Sequence, residues 1–370
     1  MTEISALTFV GMDVHRDTIA IALLRPGEQI PLEQSITNTA EAVRRQLRRW
    51  GDPGSLRVCY EAGPTGYELQ RQLAAAGVDC AVIAPALIPK RPGQRVKTDK
   101  RDARMLCRLF RAGELTPVRI PGPDEEIVRD VIRAREDLTE DILRARHRIS
   151  KLLLRHGRVY REGKTWTARH IAWIRAQRFG SDRLEQLVGH QLAVLDARLG
   201  QRALLDAEIS AIAQSEPYAE RVRLLSCLRG IAELSALTLL VEVGDFHRFT
   251  TARAFMGFTG LTATEHSSGP SRRQGGITKT GNAHLRRILV EAAWHAQRRP
   301  HFGATFRRRV VGQPPEVVRY AMAAQERLHR RYWRMAERNK PTQVATVAIA
   351  RELAGFVWGL MTGRTTPTAR

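Results

Sequence analysis

Leu7-Thr8-Phe9-Val10-Gly11-Met12-Asp13-Val14 is an apolar run with an acid near its end, and its reading decides the fold. His15-Arg16-Asp17 turns the chain, and Thr18-Ile19-Ala20-Ile21-Ala22-Leu23-Leu24 returns, so the two runs predict a pair of strands. A third strand is expected at Ser55–Tyr60, ending in Glu61 and broken by Gly63-Pro64-Thr65-Gly66. A helix then runs from Tyr67 to Ala76 and stops at Gly77, and Cys80–Ile83 is a short apolar strand. Strands and helices thus alternate over the first 120 residues around a mixed sheet, an α/β arrangement. Asp13 and Glu61 stand at or near the carboxyl ends of strands, where α/β sheets place their sites.

Lys97-Thr98-Asp99-Lys100-Arg101-Asp102-Ala103 opens a helix that continues to Phe110 and stops at Gly113. Asp99 and Asp102 are three residues apart and share one helix face. From Lys90 to Arg119 there are ten Lys/Arg against three acids, a segment coloured for phosphate. The pair fits a metal site facing phosphate, and equally an N-cap with a solvated helix face. Asp17 and Glu68 read as surface residues.

Composition narrows the partners. In 370 residues, 60 Lys and Arg oppose 38 Asp and Glu, a formal charge of +22. Such an excess calls for a polyanion, and nucleic acid is the first candidate. An anionic membrane surface is the competitor, but no stretch reads as a span and none as a signal peptide. Cys59, Cys80, Cys107 and Cys227 lack CxxC spacing, so neither a zinc site nor a disulfide framework is expected. The composition reads as cytoplasmic and nucleoid-associated.

From Pro123 the pattern changes. Asp124–Arg155 has the apolar spacing of one long amphipathic helix, and Ser181–Ser215 reads as a second. Together they predict an antiparallel hairpin or coiled-coil arm, with oligomerisation as its plainest role. Trp166 and Trp173, beside Arg169 and Arg175, would stack on bases or, as favoured here, form the core of a short connecting helix. Leu224–Ala236 has helix-hairpin-helix character; its turn would hold a phosphate or be a plain helical corner. Gly257–Gly269 and the basic run after it read as a loop, with Ser267, Ser268 and Ser271 as hydroxyls beside dense positive charge. After Pro300 a helical, Arg-rich segment predicts a surface that tracks a phosphate backbone, and Val344–Met361 is a last apolar helix.

Gly11-Met12-Asp13-Val14-His15, Glu61-Ala62-Gly63-Pro64-Thr65-Gly66 and Lys97–Ala103 resemble the motifs of the DEDD transposases of bacterial insertion sequences, the IS-one-ten family. Ser268-Gly269 and Gly275-Gly276-Ile277-Thr278-Lys279-Thr280-Gly281 are similar to the serine motif of the same family, so the resemblance spans nearly the whole chain. It implies an RNase H-like (RuvC-like) domain over residues 1–120, a helical coiled-coil arm over 121–216, and a mostly helical transposase domain over 217–370. The quartet would be Asp13, Glu61, Asp99 and Asp102, holding one or two Mg²⁺ ions. Two like charges about 4 Å apart repel by ~4 kcal/mol at an effective dielectric near 20, so converging carboxylates call for a cation. Ser268 would be the nucleophile, forming a covalent phosphoserine intermediate on DNA.

The resemblance further implies donor and target DNA, a structured bridge RNA as guide, and a homo-oligomer (dimer or tetramer). Arg272, Arg273, Lys279, Arg286, Arg287, Arg330, Arg331 and Arg334 are the expected nucleic-acid contacts. The rival readings are a metal-dependent junction-resolving nuclease in which water attacks, and a non-catalytic RNA-binding protein.

Overall fold

The amino-terminal apolar run forms β1 (Thr8–Val14) and returns as β2 (Thr18–Leu24) in the computed structural model, which describes residues 6–89, 98–268, 271 and 273–365. The chain divides into two compact units, with the boundary between Pro121 and Gly122.

In the first unit β3 (Leu32–Thr37), β4 (Leu56–Glu61) and β5 (Asp79–Ile83) complete a five-stranded sheet of order β3-β2-β1-β4-β5. β2 runs antiparallel to β1 and β3, whereas β1, β4 and β5 are parallel. Two elements are not foreseen from sequence, β3 and α1 (Ala40–Trp50). β3 is an edge strand with no buried residue, and α1 buries only Ala42, Val43, Gln46 and Leu47, so neither carries a strong apolar period.

Alternation along the strands sorts side chains onto two faces. Val10, Met12, Val58 and Tyr60 pack with Val43 and Leu47 of α1 and with Leu69 and Leu73 of α2 (Glu68–Ala75). The opposite face receives α3 (Asp99–Arg111), whose Ala103 and Cys107 pack with Phe9, Ala20 and Ala22, and whose Leu106 packs with Cys59 and Ile83. Gly11 permits this approach: a Cβ there would stand 2.3 Å from the Cys107 nitrogen and 2.4 Å from the Ala103 oxygen. Both obstacles are helix backbone. Gly11→Ala is therefore expected to lower stability by about 3 kcal/mol, at the upper end of overpacking costs, read as a drop in the denaturant midpoint. An unchanged midpoint would mean that α3 does not rest on β1.

The second unit is mostly helical. α4 (Pro123–Arg155) and α6 (Asp182–Ala213) are antiparallel partners, as the pairs Arg135–Asp206 (2.7 Å) and Asp141–Arg198 (3.4 Å) show. At their far end Ile149, Leu152, Val188 and Leu195 form a cluster closed by α5 (Ala168–Ala176). Trp166 and Trp173 pack half-buried against that cluster, the guanidinium of Arg146 lying 5.4 Å from the Trp166 ring centre. Their indoles serve packing of this short connection.

The main core of this unit gathers Leu237, Leu240, Phe255, Leu289, Ile349 and Leu353 with Ile132, Ile209 and Ala213 from the base of the helix pair. Its elements are α7 (Ala219–Ser226), α8 (Glu233–Val243), α9 (Ala252–Phe258), β6 (Ala263–Glu265), β7 (Gln274–Ile277), α10 (Ala283–Ala293), α11 (Ala304–Val310), α12 (Pro315–Ala336) and α13 (Thr342–Met361). α13 is long and apolar enough to cross a membrane, but Ala345, Ile349, Leu353 and Val357 make one buried stripe of it within the core. A mixed α/β sheet unit followed by a mostly helical one is the architecture the sequence predicts, and the sheet is consistent with an RNase H-like DEDD domain.

Candidate active site

Three elements carry the four expected carboxylates; Asp13, Asp99 and Asp102 interact with one another, while Glu61 stands at the end of the neighbouring strand outside that cluster. Met12 pairs with Tyr60 across the parallel β1–β4 ladder, so Asp13 and Glu61 are the next residues in the same row. Met12 and Tyr60 face α1 and α2, and alternation turns Asp13 and Glu61 toward α3. On α3 the buried stripe of Ala103, Leu106 and Cys107 continues backward by helical spacing to Asp102 and Asp99 in the first turn. Cys107 donates its thiol to the Phe9 carbonyl at 3.2 Å while Asp99 lies 3.6 Å from His15, so α3 runs opposite to β1 and its amino end lies beside Asp13.

Asp13 is half-buried. Burial raises its carboxyl above the usual carboxylate range, the nearby His15 opposes that, and the charges of Asp102 and Asp99 raise it further. His15 Nε2 lies 3.3 Å from Asp13 Oδ2 and 3.6 Å from Asp99 Oδ1. One ligand atom from each of Asp13, His15 and Asp99 falls within 4.8 Å of the others. Two carboxylates and an imidazole around a shared point, with a mutual repulsion of the acids registered by Asp13, fit a divalent cation. Glu61 and Asp99 are exposed and Asp102 is half-buried, leaving the cluster open to a large substrate. Asp17 instead pairs with its neighbour Arg16 at 2.9 Å, and Glu68 accepts from Gln72, as expected of surface residues.

The expected serine lies in the second unit, at the tip of a hairpin. β6 and β7 pair antiparallel, and beyond them Ser268 and Ser271 exchange backbone hydrogen bonds at 3.2 Å in each direction. Ser268 is exposed; the Ser267 hydroxyl donates to Glu265 at 2.9 Å. Gly269 and Arg272 lie outside the described residues.

The foot of the hairpin is fixed tightly. Gly260 and Gly281 have φ of +67° and +100°, and a Cβ on Gly281 would stand 2.1 Å from the Phe258 oxygen. Asn282 caps α10, accepting from the Leu285 amide at 3.0 Å while its own amide donates to Glu242 at 2.6 Å. Glu242 is buried in α8 and also receives both arms of Arg133 from α4, at 2.9 and 3.0 Å.

Residues 10–157 match a transposase model of the DEDD, IS110 type, and residues 222–307 match the transposase IS116/IS110/IS902 family. The putative transposase y4qE of Sinorhizobium fredii is 37% identical over 95% of this chain and 88% of its own length. The transposase for insertion sequence element IS1533 of Leptospira borgpetersenii is 35% identical over 90% of this chain and 97% of its own length. The chain belongs to the IS110 transposase family. Transposases of this kind are enzymes that cleave and rejoin DNA, and a DEDD domain uses divalent metal.

In this IS110-family chain several of the expected basic contacts already have partners. Arg287 pairs with Glu136 and, at 3.0 Å, with Glu291; Arg331 pairs with Glu352 at 3.0 Å; Arg286 donates to the Thr259 carbonyl at 3.1 Å. Arg273, Lys279, Arg330 and Arg334 are exposed. Sequence reasoning passed over His15, although it sits in the quoted motif, and over the Arg133–Glu242–Asn282 network. An acid inside the apolar run of α8 was its one available signal.

Burial alone would raise the Glu242 carboxyl, but the hydrogen bonds and charge of Arg133, with the Asn282 hydrogen bond, outweigh it and hold the carboxyl below the usual carboxylate range. A depressed carboxylate contributes stability that is present above the unfolded value and lost as pH falls through the folded one. Glu242→Gln is expected to cost about 3 kcal/mol, because Arg133 loses its buried partner, and to flatten the decline of stability below about pH 4.5. Denaturant melts of both proteins from pH 7 to pH 3 read this out. Parallel curves would remove Glu242 from the acid response.

Proposed function

We propose that this transposase cleaves and rejoins DNA with a split site, in which the Asp13, Glu61, Asp99 and Asp102 carboxylates hold Mg²⁺ and Ser268 supplies the attacking hydroxyl. The observation that supports the reading is the gathering of Asp13 from β1 with Asp99 and Asp102 from the first turn of α3, with Glu61 at the end of the neighbouring strand β4. A bound divalent cation would supply charge neutralisation and polarisation of the scissile phosphate.

The protein's own residues do the remaining work. Asp13, half-buried at the end of β1, fixes the position of the cluster, Asp99 and Asp102 join it from α3, and Glu61 would complete it from the end of β4. Ser268 sits on a hairpin whose foot is locked by Gly281 and Asn282 while its tip is exposed, a geometry suited to presenting one hydroxyl to a backbone. Attack forms an Oγ–phosphorus bond and breaks the bond to one ester oxygen of the strand, which ends with the serine's proton. The number of phosphoester bonds is conserved, so rejoining is the same step reversed onto a new strand end and needs no external energy source. The test is trapping of a covalent protein–DNA adduct.

The same reading assigns three functional segments, the DEDD domain (1–120), the helix pair as an oligomerisation arm (121–216) and the serine domain (217–370). The Leu224–Ala236 corner acts as a helix-hairpin-helix phosphate grip. Quartet and serine come together in a homo-oligomer on donor and target DNA, guided by a structured bridge RNA, and the protein works in the bacterial cytoplasm at the nucleoid. The net charge of +22 supports a polyanionic partner larger than one short duplex.

The exposed face of α12 carries Arg330 and Arg334 with Trp333 between them. Replacing both arginines by Gln is expected to reduce the slope of log affinity against log salt by about 1.5 to 2. An unchanged slope in a filter-binding titration would mean that this face stays in solvent.

A further inference from the structure

A cavity of about 440 Å³ opens in the second unit between the α7–α8 turn, the segment after α10, and α12. Arg229, His295, Arg298, His301 and Arg309 line it, and none of its lining residues is acidic. No ion pair neutralises these three arginines among the described residues; Arg229 instead donates to the carbonyls of Arg298 and Arg299 at 3.1 and 2.8 Å, and Arg309 to that of Ile231 at 3.2 Å. The backbone is thus used to hold cations in place around an opening.

Their mutual repulsion is felt inside the cavity. Burial lowers His295 below the usual histidine value, and the charges of Arg298, Arg229 and Arg309 lower it further. Burial, with Arg298, likewise lowers Arg229. Same-sign groups gathered without a counter-charge are stable in the presence of an anion.

A second and independent feature points the same way. Gln325, on α12, also lines the cavity and is 5% exposed. Its Oε1 accepts from the His301 amide at 3.3 Å, which fixes the side-chain orientation, while its Nε2 has no hydrogen-bond partner among the described residues. A buried N–H donor left unmade is costly, and groups of this kind wait for an acceptor that arrives from outside. The turn itself is constrained: Gly230 has φ of +88°, and a Cβ there would stand 2.4 Å from the Ala292 oxygen, so the turn is pressed against α10 and keeps the cavity's shape.

We propose that this cavity is a phosphate site, in which Arg229, Arg298 and Arg309 with the Gln325 amide hold one backbone phosphate of bound nucleic acid. The chemistry is shape- and charge-based and reads no sequence, so the site anchors the polynucleotide rather than selecting it. It deepens, and rests on, the reading of the Leu224–Ala236 corner as a phosphate grip, adding side chains from the segment after α10 and from α11 and α12 to it. It is independent of the quartet and of Ser268, and its test leaves both untouched.

The experiment uses the full-length protein, with inorganic phosphate as the first probe and a DNA duplex as the second. At constant ionic strength, replacing chloride by phosphate is expected to raise the melting temperature of the wild type by about 3 °C, saturably. Arg298→Gln and Gln325→Glu should both lose that shift. Gln325→Glu places a carboxylate among the cations, so it should melt no lower than wild type without phosphate, which separates loss of the site from loss of the fold. On DNA, Arg298→Gln should make the salt slope shallower by about one. Phosphate that fails to stabilise the wild type, or stabilises both variants equally, overturns the site. A Gln325→Glu protein that melts lower and still responds to phosphate overturns the role of the amide. A lost phosphate shift with an unchanged DNA slope makes the ligand a free phosphate or nucleotide and overturns the backbone assignment.

Discussion

Asp102→Asn is expected to abolish strand cleavage while leaving the fold and most nucleic-acid affinity in place. Asp102 lies in the first turn of α3, where its charge reaches Asp13 and raises that carboxyl. The amide has the same shape, and the stripe that seats α3 on β1 begins at the next residue, Ala103, so packing is spared. The substitution removes one negative charge from the quartet. If the metal supplies several kcal/mol of transition-state stabilisation, losing its site lowers the cleavage rate by about 10³-fold or more, since each decade is ~1.4 kcal/mol. Affinity for DNA should be equal or slightly tighter, because a negative charge has left a basic surface. Cleavage of a labelled substrate across a Mg²⁺ titration, with a binding assay in parallel, reads both quantities. Asp17→Asn is the control, and its exposed pair with Arg16 predicts no effect. Normal cleavage by Asp102→Asn would remove it from the metal site.

Ser268→Ala should be equally severe for chemistry and even milder for structure. The residue is exposed, and its described links at the hairpin tip are backbone bonds to Ser271, which alanine keeps. DNA binding should be unchanged, and covalent adduct should be undetectable. Ser268→Cys is expected to retain a trace, because a thiolate is the better nucleophile but sits in a site shaped for oxygen. Ser267→Ala, which among the described residues breaks the side-chain contact with Glu265, should leave the adduct yield near wild type. If Ser268→Ala cleaves at the wild-type rate, water is the attacking group and the enzyme is a metal-dependent nuclease in its first step.

Much of this was legible because burial writes itself into sequence. β1 and β2 are nearly continuous apolar runs, since each is covered on both faces, and α4 and α6 carry a clear helical period. β3 is polar along its length because it closes the sheet at an edge, and α1 presents two Arg pairs with few apolar residues, so neither stands out. The β6–β7 hairpin is only three and four residues long and contains Gly275 and Gly276, which read as loop. Asp13, Asp99 and Asp102, which the structure draws together, stood out through their motifs. The sheet supplies their physical basis, because strand alternation and helix spacing turn separated acids to one side. Partners distant in sequence are a different matter: Arg133 and Glu242 are 109 residues apart, and no local pattern announces them. A tally of basic residues likewise cannot tell Arg287, committed to Glu136 and Glu291, from the exposed Arg330.

The account turns on whether a serine of the second unit becomes bonded to DNA in a reaction governed by acids of the first. Denaturing the wild-type protein in mid-reaction on labelled DNA with Mg²⁺, digesting it, and sequencing the modified peptide by mass spectrometry tests this most directly. The predicted result is a nucleotide phosphate on Ser268, absent when Asp102→Asn replaces the wild type. Phosphate on Ser267 or Ser271, or cleaved DNA with no modified peptide, would contradict it.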